Sequence, residues 1–344
     1  MIRHCLFHRA TYFLIGLSKE VLYINNLKNS VMRKQILFYC PSQEILAQEV
    51  LDLNFHVIKG AINWNHFDDG FPDLQVLVPE RLYDNDVLFL ADFSDATEIF
   101  RQLAVIYALP SFGINSLKVF LPFFSTGTMD RVTEEGQIVT AKTLARMLSV
   151  IPAAACPTQI IILDIHALQE QFYFSDQVRI KCISGIPFFL DKLKRDEENL
   201  RSIAIAFPDE GAYKRFGRYF AGFDKIICEK RRLGGEKRKV TIKEGDPRGK
   251  KVIIVDDLIM LGGTLLECAE VLKAAGAKSV EAYATHGVFP KKNWQKFFEA
   301  EVKLYLTNSL PKKIQEIYAD KPSSSQVEVL SLARMILQEI YLNS

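Results

Sequence analysis

The stretch Lys250–Thr264, KKVIIVDDLIMLGGT, reads as a strand, an acidic pair and a glycine turn, and LLECAEVLKAAGA follows it directly. The unbroken apolar run Val252–Val255 predicts a strand that is buried on both faces, as in a parallel sheet. Apolar residues then recur with helical spacing, at positions 265, 268, 269 and 272. Gly276 predicts the end of that helix. The stretch therefore predicts an α/β unit in which a strand, a turn and a helix follow one another.

The acidic pair and the turn predict a binding site. Glycines allow the backbone to approach a ligand, and the first N–H groups of a helix attract an anion. A phosphate can therefore bind at the turn while the carboxylates of Asp256 and Asp257 hold neighbouring hydroxyls, which fits a sugar phosphate. Two other interpretations remain open at this point: the acids bind a metal, or the Gly-Gly turn only packs the helix onto the sheet. The chain contains no Walker A pattern and no G-x-G-x-x-G fingerprint.

Length and composition limit the class of protein. The chain has 344 residues, enough for two ordinary domains, and 49% of them are hydrophobic, which suits a large core. The net charge of +2 gives no reason to expect a nucleic acid or a membrane surface as partner. No apolar run approaches the roughly 20 residues of a membrane span. Scattered cysteines without a C-x-x-C pair predict free thiols in a reducing compartment.

The order of predicted elements divides the chain into three segments. Residues 1–33 form an N-terminal extension that is basic and short of acids. We interpret it as lying outside the compact fold, and an organellar targeting peptide is the alternative. Residues 34–184 and 185–344 each alternate strands and helices, with polar motifs at strand ends, where open parallel sheets bind ligands. The second segment ends in a predicted helix, Gln326–Tyr341.

Further predictions concern single segments. Asn63–Asp73 is predicted to be a polar and aromatic turn, and the segment after Leu121 is predicted to be a functional loop or hairpin. The basic stretch Glu229–Lys239 predicts a hairpin.

Several separated motifs occur in the same order as in one known family. They are INWNHFDDGFPDLQV, LPFFSTGTMDR, LDIHALQEQFYF, AFPDEGAYKRF, CEKRR, TIKEGD and VIIVDDLIMLGGTL. The last resembles the phosphoribosyl-diphosphate (PRPP) motif of type I phosphoribosyltransferase folds. From about Gln35 onwards the chain resembles ribose-phosphate diphosphokinases (PRPP synthases), most closely the plant-type class II branch. The resemblance implies an α/β fold with two type I phosphoribosyltransferase-like domains, each a mostly parallel sheet flanked by helices.

The resemblance also implies a reaction. A diphosphoryl group would pass from ATP, or another nucleoside triphosphate, to O1 of ribose 5-phosphate, giving PRPP and AMP. Such a transfer needs in-line positioning, Mg²⁺ and cationic side chains more than a strong base. We expect a homo-oligomer, because nucleotide sites of the family generally use a neighbouring subunit. We also expect a cytoplasmic location.

The implied site residues fall into groups. By resemblance, Lys230 and Arg232 are catalytic, and His166 and Asp209 are associated with the metal. The implied ribose 5-phosphate residues are Asp256, Asp257, Met260, Leu261, Gly262, Gly263 and Thr264. The implied nucleotide residues are Phe67, Asp69, Phe71, Thr128, Met129, Asp130 and Arg131.

This chain departs from its relatives at a few positions. Phe71 stands where the commoner bacterial and animal class has an acid, and Thr128-Met129 replace an Arg-Gln pair. Met260 and Leu261 replace an Asp-Thr pair, and class II enzymes also carry a hydroxyl at the second position. Leu261 is therefore expected to weaken ribose 5-phosphate binding. Two alternative functions are a catalytically weak regulatory or assembly subunit and a phosphoribosyltransferase that consumes PRPP.

Overall fold

The computed structural model describes residues 33–197, 199–232 and 238–342. The predicted N-terminal extension lies outside the described residues except for Arg33. Among the described residues, no helix is long and apolar enough to cross a membrane.

In the first half of the chain an entirely parallel sheet is covered on both faces. In chain order the described strands are β1 (Gln35–Tyr39), β2 (Val57–Lys59), β3 (Ile62–His66), β4 (Pro72–Val76), β5 (Asp86–Leu90), β6 (Ser116–Leu121), β7 (Gln159–Leu163) and β8 (Arg179–Ile183). The helices are α1 (Glu44–Leu53), α2 (Ala96–Ala108) and α3 (Thr140–Ser149). The sheet order is β2-β1-β5-β6-β7-β8, and β3 with β4 forms a separate antiparallel hairpin. Phe38 packs in the core with α2 and α3, whereas its neighbour Leu37 packs in the core with α1.

The second half repeats this architecture. Its described strands are β9 (Ile203–Phe207), β10 (Asp224–Arg232), β11 (Arg238–Glu244), β12 (Lys251–Ile259), β13 (Ser279–Gly287), β14 (Lys303–Thr307) and β15 (Val327–Leu330). The helices are α4 (Ile186–Asp196), α5 (Glu210–Phe216), α6 (Gly263–Ala274), α7 (Trp294–Glu299), α8 (Pro311–Ala319) and α9 (Ala333–Tyr341). The sheet order is β11-β10-β9-β12-β13-β14-β15, parallel except between β10 and β11. The predicted basic hairpin is thus confirmed as the β10–β11 pair.

The strand and helix predicted from the opening stretch are confirmed, but the strand is longer. It continues to Ile259, so Asp256 and Asp257 lie inside β12 and not at its end. The reason is the neighbouring strand β13, which pairs with β12 as far as Gly287 and supplies backbone hydrogen bonds that an acidic side chain does not disturb. Helix α6 buries the predicted apolar face, and Gly276 follows it with φ +95°.

Other predicted elements need correction. Part of the predicted turn Asn63–Asp73 belongs to strands β3 and β4, whose tip is residues 67–71. The predicted helix Gln326–Tyr341 begins only at Ala333, because Val327–Leu330 pairs with β14 at the sheet edge. Strands β8 and β14 were not predicted. Both strands are short, and strand formation depends on pairing with sheet neighbours more than on local sequence. The local pattern alone therefore did not identify them.

The two halves meet at the carboxyl ends of β7 and β13. Asp164 is buried, and its Oδ2 accepts hydrogen bonds from Thr285 Oγ1 at 2.6 Å and from Gly185 N at 2.8 Å. His286 is buried, and its Nε2 lies 3.2 Å from the carbonyl oxygen of Leu163. Burial lowers the pKa of His286, so its ring is neutral at pH 7. This polar junction sets how the strand ends of the two sheets face each other.

The last helix packs on the sheet of the first half. Met335, Ile336 and Ile340 of α9 share a core with α1 and with strands of the first sheet. Lys118 on β6 is buried, and its Nζ donates to the carbonyl oxygens of Glu339 at 2.9 Å, Ile340 at 3.0 Å and Leu342 at 3.2 Å. A cation at these carbonyls also complements the helix dipole. The segment boundaries at 33/34 and 184/185 stay predictions.

We expect Lys118→Met to lower the free energy of unfolding by about 1–3 kcal/mol, because buried carbonyl oxygens at the end of α9 lose their donor. The measurement is urea unfolding followed by circular dichroism. Lys142→Met is the matched control, because Lys142 is exposed on α3, and it should unfold like the wild type. Equal midpoints for both variants would show that Lys118 does not hold α9.

Candidate active site

An open cleft of about 1090 Å³ lies where the two halves meet, beside the strand ends. The predicted site residues that line it are Thr128, Arg131, His166, Asp209, Lys230, Asp256, Asp257, Met260, Leu261, Gly262, Gly263 and Thr264. Residues from both halves therefore share one cleft, as expected for groups that follow strands of two facing sheets.

The pKa values of the two carboxyl groups of the acidic pair on β12 are shifted in opposite directions. Burial, and next the charge of Asp257, raise the pKa of Asp256 well above its usual range. Burial would also raise the pKa of Asp257, but a hydrogen bond to His166 and the charge of Arg215 keep it below its usual value. The negative charges of two adjacent carboxylates repel each other, which separates the pKa values of the pair.

Arg215 on α5 connects the two halves at the cleft. Its Nη1 donates to the carbonyl oxygen of His166 at 2.6 Å and lies 3.6 Å from Asp257 Oδ2, while its Nη2 lies 3.8 Å from Asp164 Oδ1. Arg215 lies in the motif AFPDEGAYKRF, but no role was predicted for it from the sequence. The available signal was an arginine six residues after Asp209, on the same short helix. Arg215 compensates the charge of Asp257 and fixes the chain at His166.

The two residues predicted to associate with the metal lie in the same cleft but make different contacts. His166 Nδ1 lies 2.9 Å from Asp257 Oδ2, and this hydrogen bond raises the pKa of His166. Asp209 is the N-cap of α5, where its Oδ1 accepts from Ala212 N at 2.9 Å. Within the described residues, no three side chains of the types that ligate metals converge on one point. The capping hydrogen bond of Asp209 is made by Oδ1, so Oδ2 takes no part in it.

Lys230 reaches from the β10–β11 hairpin to the glycine turn. Its Nζ lies 2.5 Å from Thr264 Oγ1, at the first turn of α6. Its backbone pairs with that of Val240, so the hairpin holds it beside the cleft. Arg232 is the last residue of β10, and its side chain lies outside the described part of the chain.

The glycine turn presents backbone groups to the cleft. Gly262 has φ +75°, which favours glycine, and a Cβ there would lie 2.4 Å from Cε2 of Phe297. In the described part of the chain, the N–H groups of Leu261 and Gly262 have no protein acceptor. Those of Gly263 and Thr264 open α6. Unpaired N–H groups at a helix start favour an anion.

The predicted nucleotide residues separate into two places. Thr128 and Arg131, on the loop after β6, line the cleft. Met129 and Asp130 lie between them in the same loop but do not line it. Phe67, Asp69 and Phe71 do not line this cleft. They lie at the tip of the β3–β4 hairpin, where Asp69 Oδ1 accepts from Phe71 N at 3.0 Å and both phenylalanines are exposed.

This geometry can be compared with known proteins. The chain is 44% identical over 325 residues to "Ribose-phosphate pyrophosphokinase 3, mitochondrial" of Spinacia oleracea, which covers 91% of this chain and 78% of the relative. It is 46% identical over 316 residues to "Ribose-phosphate pyrophosphokinase 4" of Oryza sativa subsp. japonica, with 88% of this chain and 95% of the relative covered. The chain belongs to the ribose-phosphate pyrophosphokinase family. The predicted plant-type branch is also confirmed by these relatives.

Two further comparisons agree with this assignment. Residues 230–341 match the family model "Phosphoribosyl synthetase-associated domain". The crystal structure of phosphoribosylpyrophosphate synthetase from Mycobacterium smegmatis superposes with a TM-score of 0.75 at 23% identity, covering 90% of this chain and 98% of that one. At that identity the likeness shows the fold alone. It confirms the predicted pair of phosphoribosyltransferase-like domains for this ribose-phosphate pyrophosphokinase family member.

Proposed function

We propose that the chain is a ribose-phosphate diphosphokinase that makes PRPP and AMP from ribose 5-phosphate and ATP or another nucleoside triphosphate. O1 of the sugar attacks the β-phosphorus of the nucleotide and loses its proton. The bond from that phosphorus to the α–β bridging oxygen breaks, and the nucleoside monophosphate leaves. The observation that carries the proposal is the placement of Lys230 at the glycine turn, in a chain 44–46% identical to enzymes named for this activity.

The glycine turn is our proposed site for the 5-phosphate of ribose 5-phosphate. Its free N–H groups and the start of α6 would bind the phosphate, and Lys230 stands within reach of it. The adjacent Asp256 would hydrogen-bond the ribose hydroxyls, and the negative charge of Asp257 is already compensated by His166 and Arg215. The sugar would therefore lie along the end of β12 with O1 directed into the cleft.

The cationic groups of the hairpin are proposed to act on the transferred phosphates. Charge accumulates on the phosphate oxygens in the transition state, and a positioned cation stabilises that charge more than it stabilises the substrate. Lys230 is the proposed transition-state stabiliser, and Arg232 is proposed to bind the substrate phosphates. No strong base is required near O1.

The nucleotide is proposed to bind across Thr128, Met129, Asp130 and Arg131. Phe67, Asp69 and Phe71 would complete the site from the hairpin of a neighbouring subunit, since in this subunit they lie outside the cleft. This requires a homo-oligomer, and cross-linking with size-exclusion chromatography tests it.

Mg²⁺ is the proposed metal, and the residues present fit it. Mg²⁺ prefers oxygen ligands and is commonly held by one or two carboxylates together with substrate phosphates. Asp209 offers such a carboxylate in the cleft, and His166 lines the same cleft, with its Nδ1 engaged by Asp257. When bound, Mg²⁺ would neutralise charge on the nucleotide phosphates. No third protein ligand is required.

We expect His166→Ala and Asp209→Ala to raise the Mg²⁺ concentration that gives half-maximal activity. Each variant removes a group beside the metal–nucleotide complex, and the measurement is a Mg²⁺ titration at fixed nucleotide. The matched controls are His56→Ala, at an exposed histidine, and Asp95→Ala, which caps α2 as Asp209 caps α5. If the titration is unchanged in both test variants, His166 and Asp209 are structural residues only.

The activity assay distinguishes the three functions. Purified protein is incubated with ribose 5-phosphate, Mg²⁺ and several triphosphates, and formation of the nucleoside monophosphate and PRPP is followed. A diphosphokinase forms both, whereas a regulatory subunit forms neither. A phosphoribosyltransferase would instead consume added PRPP together with a free base.

The cellular compartment remains a proposal. The relative from Spinacia oleracea is named mitochondrial, and residues 1–33 are basic in this chain. We propose the cytoplasm, with organellar targeting by residues 1–33 as the alternative. Microscopy of fluorescent fusions with and without these residues distinguishes the two.

A further inference from the structure

The glycine turn is supported from below by the segment that follows β13. Val288 N donates to the carbonyl oxygen of Ile259 at 2.9 Å, which holds this segment against the end of β12. The ring of Phe297 on α7 fills the space beneath Gly262. The side of the turn opposite the cleft is therefore closed by protein.

Within this support, Asn293 makes a specific pair of contacts. It is buried, with 8% of its surface exposed, and it does not line the cleft. Its Nδ2 donates to the carbonyl oxygen of Leu261 at 3.3 Å, and its Oδ1 accepts from Lys291 N at 3.2 Å. The second contact orients the amide, so the first is made by the NH₂ end of the side chain.

The contact to Leu261 determines where the next N–H group points. The described peptide bonds are all trans, and in a trans peptide the C=O and N–H groups point in opposite directions. With the Leu261 carbonyl held toward buried Asn293, the N–H of Gly262 points away from Asn293, toward the cleft that Gly262 lines. Among the described residues, Asn293 is the hydrogen-bond partner of this peptide, because the Leu261 carbonyl accepts from Asn293 and the Gly262 N–H has no protein acceptor.

We propose that Asn293 is a positioning residue for ribose 5-phosphate: it fixes the Leu261–Gly262 peptide so that the Gly262 N–H donates to the 5-phosphate. The inference rests on the proposed function, because it needs the phosphate to bind at the glycine turn. An N–H group that is already oriented spares the substrate the cost of ordering it. Since Asn293 lies outside the cleft, it acts only through this peptide.

The test uses two variants that both remove the hydrogen-bond donor to the Leu261 carbonyl. Asn293→Leu removes both hydrogen bonds without adding a charge, and Asn293→Asp keeps the acceptor for Lys291 N but loses the donor for Leu261. We expect each to raise the KM for ribose 5-phosphate about tenfold, because the loss of a hydrogen bond to a charged group weakens binding by about that factor. The KM for the nucleotide should change less than twofold. Direct titration calorimetry with ribose 5-phosphate should show the same loss of affinity.

Asn85 provides the matched control. Its Oδ1 accepts from Lys34 N at 2.9 Å, and its Nδ2 donates to the carbonyl oxygens of Arg81 at 2.9 Å and Tyr83 at 3.2 Å, so its amide likewise bonds to backbone at both ends. It does not line the cleft, and Asn85→Leu and Asn85→Asp should leave both KM values unchanged.

The wild-type titration tests the proposed function, and the Asn293 variants test the positioning role. If the wild type binds no ribose 5-phosphate in the titration, the proposed function and the role of Asn293 both fail. If the wild type binds and the Asn293 variants bind equally well, only the positioning role fails. Equal increases in both KM values, or a lower melting temperature without any change in KM, would make Asn293 a purely structural residue. If one variant does not fold, the other decides alone.

Discussion

Lys230→Ala should lower the turnover number at least ~10²-fold while leaving the melting temperature almost unchanged. A positioned cation in phosphoryl transfer contributes about 10³–10⁵ in rate, because it stabilises charge that develops on the transferred group. Lys230 is exposed, and its Nζ contacts Thr264 at the glycine turn, so its removal opens no cavity. Steady-state kinetics with saturating substrates and differential scanning fluorimetry measure the two quantities.

Lys243→Ala is the control for Lys230. Lys243 is an exposed lysine of the same hairpin, on strand β11, and it pairs with Glu210 on α5 outside the cleft lining. It tests whether any loss of positive charge on the hairpin lowers the rate. If Lys230→Ala retains near-normal turnover, or if Lys243→Ala is equally impaired, Lys230 is not the transition-state stabiliser.

Leu261→Ser should lower the KM for ribose 5-phosphate by roughly ten- to a hundred-fold and leave the nucleotide KM nearly unchanged. A serine hydroxyl at this position would donate to the charged 5-phosphate, which is worth ~1.5–3 kcal/mol. The Leu261 side chain is 57% exposed and lines the cleft, so it does not pack into the core. The substitution should therefore preserve stability as well.

Leu168→Ser is the matched control for Leu261. Leu168 is another exposed leucine of the cleft, contributed by the first half of the chain. It should leave the KM for ribose 5-phosphate unchanged. If Leu261→Ser also leaves this KM unchanged while folding normally, the 5-phosphate binds elsewhere in the cleft. The interpretation as a regulatory subunit would then gain support if the activity assay is negative as well.

The sequence by itself determined the local units of this protein. The strand at Val252–Val255 and the helix that ends before Gly276 were predicted correctly, because the signals for each lie close together in the chain. The alternation of strands and helices likewise predicted two α/β halves. The basic hairpin with Lys230 could also be predicted, because each of these signals spans only a few residues.

Only the tertiary structure decided which groups meet. Strand β15 replaces part of a predicted helix because β14 offers it an edge, and β12 extends past its acids because β13 pairs with them. Helix α9 packs on the first sheet, although the sequence placed it in the second segment.

The site shows the same division. The sequence proposed His166 and Asp257 as separate residues, 91 positions apart, and the fold joins them by a hydrogen bond. The roles inferred for Arg215 and Asn293 likewise depend on contacts with remote backbone carbonyls, those of His166 and Leu261. Such contacts are fixed by how the two sheets and their loops pack. A local sequence pattern does not depend on that packing, so the roles of Arg215 and Asn293 could be inferred only from the folded chain.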